Sequence, residues 1–201
     1  MNRIHRLTGN VARALSRHSR SLYLNGLREL TPEVAEGFAN HRGRLMLGGV
    51  TSLTVAAARA LRPHKGSLQL PALTRIPVQV ARVLADHHGH LEIEIHTGLS
   101  EQTLVALIRH RPAIRFDMLT QITPAIAKAL AERRLKHLCE GLDGDPEEAA
   151  QATSDDHPWL YLDHLTQLSA ACARELAKHP GPISLEGLVN LDADATQTLA
   201  Q

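Results

Sequence analysis

The chain repeats itself every 23 residues, and no insertion is needed to keep the count from one end to the other. Taking Leu22, Leu45, Leu68, Leu91, Ile114, His137, Leu160 and Ile183 as origins, the residues two further on are Leu24, Leu47, Leu70, Ile93, Phe116, Cys139, Leu162 and Leu185. Five residues on, Leu27, Val50, Leu73, His96, Leu119, Leu142, Leu165 and Leu188 form another column. A fixed period of this length marks a stack of small units, because one unit of 23 residues cannot bury its own apolar face and needs its neighbours to do so.

Within a unit the apolar-x-apolar start predicts a short strand. Thr31, Thr54, Ser100, Thr123 and Ser169 then stand where a helix N-cap belongs, with Pro77 in the same place, and Pro32 and Pro124 follow at a position that needs no N–H. A helical stripe comes next: Val34, Ala35, Phe38 and Ala39; Ile126, Ala127, Leu130 and Ala131; Cys172, Ala173, Leu176 and Ala177. Gly43, Gly66, Gly89 and Gly181 end the unit with a return loop. The expected fold class is therefore α/β: a solenoid with parallel strands on a concave face, short helices on a convex face, and right-handed crossovers. Residues 1–201 form a single repeat domain of about eight and a half units. In the unit 137–159, the run Asp143-Gly144-Asp145-Pro146 and the polar Thr153, Ser154 and Asp156 break the helical pattern, so 143–158 reads as a degenerate helix or loop.

The units Leu22-x-Leu24-x-Gly26-Leu27-x-x-Leu30-Thr31, Leu45-x-Leu47-x-Gly49-Val50-x-x-Leu53-Thr54 and Leu160-x-Leu162-x-x-Leu165-x-x-Leu168-Ser169 resemble those of leucine-rich repeat proteins. The resemblance runs from about Leu7 to Leu199 and is to a variant of bacterial type. The family's asparagine, three residues after its Leu-x-Leu, is replaced by Leu27, Val50, Leu73 and Leu119. The resemblance implies an interaction scaffold that holds partners on its concave strand face and performs no catalysis.

Equivalent positions stack in a solenoid, so functional residues are sought down columns. Three residues after the origins stand Glu94, Asp117, Glu140, Asp163 and Glu186, and one residue after them Glu92, Arg115 and Tyr161, with Tyr23 further along. Strand alternation points these side chains away from the core. Stacked like charges oppose one another, so an acidic stripe beside aromatic rings needs water or a cationic partner, and the expectation is a basic protein or peptide bound at Glu92, Glu94, Arg115, Asp117, Glu140, Tyr161, Asp163 and Glu186. Paired carboxylates also serve glycoside hydrolysis, but no desolvated pocket is indicated, and neither a phosphate loop nor a nucleophile elbow occurs. No enzyme activity and no cofactor are expected.

His18, His41, His64, His87, His110 and His179 form a second column at the helix ends, where an imidazole can donate to the last carbonyls and complement the helix dipole. Arg42, Lys65, His88, Arg111 and Arg134 form a third column on the return loop, read as a solvated edge with phosphate contact as the alternative. Metal ligation is not expected at the histidines, since no Cys-x-x-Cys accompanies them, nor at the aspartates of the degenerate unit, which lack EF-hand spacing.

Charge divides along the chain. Residues 1–90 hold 13 basic and 4 acidic side chains, whereas 91–201 hold 9 and 17, so head-to-tail self-association of a bipolar molecule is the alternative function. Only five residues are aromatic, which leaves few platforms for stacked bases, and the acidic half opposes DNA, so nucleic acid is not the expected partner. No membrane partner is expected, because no uncharged apolar run approaches a spanning length. Cys139 and Cys172 stand at apolar positions of the repeat, which suits a reducing compartment, the cytoplasm.

Overall fold

A computed structural model of the chain describes residues 4–94, 98–108, 119–132 and 160–191. In chain order the elements are α1 (Gly9–Leu15), β1 (Leu22–Tyr23), α2 (Pro32–Phe38), β2 (Leu45–Met46), α3 (Val55–Leu61), β3 (Leu68–Gln69), α4 (Val78–Ala85), β4 (Leu91–Glu92), α5 (Glu101–Ile108), α6 (Pro124–Ala131), β5 (Leu160–Tyr161), β6 (Gln167–Leu168), α7 (Ala170–Leu176), β7 (Ile183–Ser184) and β8 (Asn190–Leu191). Strands and helices alternate as the repeat predicts. The sheet β1-β2-β3-β4 is parallel throughout, and its register pairs Leu22 with Leu45, Leu45 with Leu68 and Leu68 with Leu91. Further on, Leu160 of β5 pairs with Ile183 of β7 in the same way. Each step of the sheet is one 23-residue repeat.

The helices begin where the sequence places them. Thr8, Thr31, Thr54, Thr123 and Ser169 each accept from the backbone N–H three residues on, at 3.1–3.4 Å, and Ser100 does the same for Thr103. This meets one of the donors that every helix start leaves without an intrahelical acceptor. Pro77, which has no side-chain acceptor, opens α4 without such a bond. Behind the caps, Val34, Ala35 and Phe38 of α2 and Cys172, Ala173 and Leu176 of α7 are buried in one apolar core together with the leucine columns Leu24, Leu47, Leu70, Leu162 and Leu27, Val50, Leu73, Leu165. The stripe runs to its expected end in α6, where Ala131 is buried, and ends one position earlier in α2 and α7. Ala39 and Ala177 occupy the C-caps, where the backbone turns away, so Ala39 is half-buried and Ala177 exposed.

Three features of the stack are absent from the sequence reading. The first is a second parallel ladder seven and eight residues after the origins, where β6 pairs with β8 through Gln167–Asn190 and Leu168–Leu191, and Ser52 bridges Arg75. The second is the closeness of the return loops. A Cβ on Gly66 would overlap the carbonyl oxygen of Gly43, so only glycine lets these rungs close up. The third concerns the order of the rungs. The N–H of Thr74 donates to Thr51 at 3.2 Å and that of Val189 to Thr166 at 3.2 Å, one repeat apart in both cases. The N–H of Thr166, however, reaches the carbonyl of Thr120 at 3.4 Å, two repeats away. The same doubling occurs in the helix layer, where Thr103 donates to the Ile76 carbonyl 27 residues back and Cys172 to the Ile122 carbonyl 50 residues back. Helix α6 packs directly on α7. The unit expected to be degenerate, residues 137–159, lies outside the described residues.

Candidate functional site

A two-residue strand leaves one position per repeat pointing outward between the buried residues at the origin and two residues later. That column holds Tyr23, Met46, Gln69 and Glu92 in the first sheet and Tyr161 and Ser184 in the second. Tyr23 and Tyr161 are both about half exposed, at 53% and 52%, whereas Phe38 is fully buried. Gln69 is buried and donates from Nε2 to Glu92 Oε2 at 2.6 Å. Glu92, half-buried, is thus tied to the neighbouring rung.

The acidic column three residues after the origins is differently placed from the expectation. The strands stop after two residues, so Asp163 and Glu186 lie in the turn that follows and form a rim rather than part of the strand face. Asp163 is committed to the fold: its Oδ1 accepts from Ser184 Oγ and, at 3.3 Å, from the backbone N–H of Glu186 one repeat on. Asn25 does the same for the N–H of Gly48 at 3.1 Å. A side-chain tie between rungs is therefore built here at offset three, in a repeat whose offset five is apolar. This explains a short acceptor at that offset without invoking a ligand, and the signal was the pairing of Asn25 with Asp163 in one column. Glu94 and Glu186, whose carboxylates reach further, are exposed on the rim. Arg115, Asp117 and Glu140 lie outside the described residues.

The histidine column has a role that differs from capping of helix carbonyls. The backbone N–H of His18, His41, His64, His87 and His179 closes the helix end on a carbonyl three residues back, at 2.8–3.0 Å. The Nδ1 of His18, His87 and His179 then lies 3.1–3.2 Å from the N–H two residues on, that of Arg20, Gly89 and Gly181, and accepts from it. The imidazole holds its own return loop. In the middle of the first sheet the rings also pack on one another, His41 on His64 with centroids 5.8 Å apart and His64 on His87 at 5.6 Å. His41 and His64 have no exposed surface, and neither ring nitrogen of either makes a hydrogen bond within the described residues. Burial, then the neighbouring His87 and His41, push the His64 pKa down to about 3, with the Gly43 carbonyl acting weakly in the other direction. His110 lies outside the described residues.

Among the described residues no group of three or more His, Cys, Asp or Glu side chains is placed to hold a metal ion, and no helix is long and apolar enough to cross a membrane. The Asp143, Asp145, Asp155 and Asp156 cluster of the sequence is outside the described residues. No family model, curated protein or solved structure matches this chain.

Proposed function

We propose that this chain is a right-handed solenoid of leucine-rich repeat type that acts as a non-catalytic scaffold and takes a basic protein or peptide segment on its strand face. The observation that carries the reading is the placement of two half-exposed tyrosine rings, Tyr23 and Tyr161, in the outward strand column whose rim bears the exposed carboxylates Glu94 and Glu186. Aromatic rings supply contact area at low conformational cost, and carboxylates beside them select a cationic partner and speed its approach. The right hand follows from the crossover rule for parallel strands. A buried free thiol at Cys172 suits a cytoplasmic setting.

The test is binding of a labelled Lys/Arg-rich peptide, followed by fluorescence anisotropy. Glu94→Lys with Glu186→Lys reverses the rim while leaving the Asp163 tie in place, and Tyr161→Ala removes one ring. Both changes should weaken the complex by about tenfold or more if this is the site. Peptide affinity unchanged in both variants refutes the reading. Light scattering on the same samples separates it from self-association, which would raise the solution mass in low salt without any peptide.

A further inference from the structure

The basic excess of the first ninety residues is concentrated on one edge of the stack. The segments that return from a helix end to the next strand, residues 16–21, 39–44, 62–67 and 86–90, hold Arg17, Arg20, Arg42, Arg44, Arg62 and Lys65 against the single acid Asp86. The opposite edge is balanced, with Arg28 and Arg75 against Glu29 and Glu94, and helices α1–α4 carry an excess of one, with Arg13, Arg59 and Arg82 against Glu33 and Glu36. Arg17, Arg20, Arg42, Arg62 and Lys65 are all exposed, and none makes an ion pair among the described residues. Attraction to the helix dipole accounts for Arg17 and Arg62, which follow directly on α1 and α3. It does not account for Arg20, Arg42 and Lys65, four or five residues past the helix ends, because the dipole's influence fades within the last turn.

We propose that this return edge binds the phosphate backbone of duplex nucleic acid without reading its sequence. Three rungs at ~4.8 Å spacing set the cations in a row of about 10 Å, a length along which a duplex presents several phosphates. Four of the five are arginines, whose planar fork engages phosphate oxygens in pairs. The four segments contain no Phe, Tyr or Trp to stack on a base or to anchor in lipid. A duplex requires no such anchor, whereas stable membrane attachment takes a second signal beside a basic patch. Within these four segments the single acidic residue is Asp86. The surface is separate from the strand face, so either can fail without the other.

The experiment measures the full chain against a labelled DNA duplex of arbitrary sequence by anisotropy, from about 50 to 300 mM salt, with anionic vesicles tested by flotation in parallel. Three to five contacts predict a log K against log salt slope of about −3 to −4.5. Arg42→Glu with Lys65→Glu should weaken binding more than about tenfold and flatten the slope by about 2. Arg59→Glu with Arg82→Glu, the same charge change on α3 and α4, should leave it within about twofold, with circular dichroism confirming that both variants fold. The proposal is overturned by no duplex binding at the lowest salt, by equal losses in the two variants, or by capture on vesicles without capture of the duplex.

Discussion

Acid should weaken this fold through His64. The ring is buried between His41 and His87, and its pKa is held at about 3 against 6.5 in the unfolded chain. A base with a lowered folded pKa binds its proton more tightly when unfolded. The stability it preserves is therefore complete above pH 6.5 and is lost progressively as the pH falls toward 3. The other charged and titratable side chains on these return loops are Arg42, Arg44, Arg62, Lys65, Asp86, His88 and His90, all basic except Asp86, so a proton placed on the stack meets mostly like charge. Linkage over that interval gives a loss of about 2 kcal/mol by pH 5 and about 5 kcal/mol once the folded pKa is passed. At an m of about 2 kcal/mol/M the first figure is a fall of roughly 1 M in the urea midpoint. Urea unfolding followed by circular dichroism at pH about 7.5 and about 5 should therefore show the parent losing about 2 kcal/mol more than His64→Leu, which fills the site without a titrating group. His64→Gln provides a second non-titrating variant that retains polarity. If parent and both variants lose the same stability to within about 0.5 kcal/mol, the buried stack is not what acid attacks.

Other consequences can be measured in the same way. Thr54→Ala removes the acceptor for the Ala57 N–H and should cost about 1 kcal/mol in urea unfolding, with the core unchanged. Gly66→Ala drives a methyl into the Gly43 carbonyl, so thermal unfolding should record a loss of about 2–3 kcal/mol, well above that of alanine at an exposed helix position. Asp163→Ala strands the Glu186 N–H and the Ser184 hydroxyl and should cost about 1–3 kcal/mol, while Asp163→Asn, which preserves an acceptor, should recover most of it.

Much of the architecture was legible because the repeat carries the information many times over. Leu22, Leu45, Leu68 and Leu91 share one environment, and the threonine caps at 31, 54 and 123 recur at one offset, so a single physical reading applied to every unit. What escaped was set between units. Alternation predicts a strand that runs to a fourth residue, but two-residue strands put Asp163 and Glu186 in a turn, and there Asp163 is a tie to the next rung. The place of the histidines at the helix ends predicts polar caps. Once neighbouring loops close up over Gly43 and Gly66, His41 and His64 lose all contact with solvent, and no property of one unit reveals that. The sequence marked residues 137–159 as irregular, but period alone does not say that the rungs on either side would touch.

That contact gives the most direct test of the account, since every column described depends on which rungs are neighbours. Thr120 and Thr166 are both exposed and joined by a backbone hydrogen bond of 3.4 Å. In a variant with Cys139→Ser and Cys172→Ala, cysteines introduced at 120 and 166 should form a disulfide under mild oxidation, because adjacent rungs at ~4.8 Å lie within the range of Cα separations that such a bond spans. Cysteines at 51 and 74, one repeat apart and hydrogen-bonded in the same way, provide the positive control. Peptide mapping of both bridges with equal ease is the predicted result. If 51–74 forms and 120–166 does not, the two positions are a further rung apart, about 10 Å, and the stacking order described here is wrong.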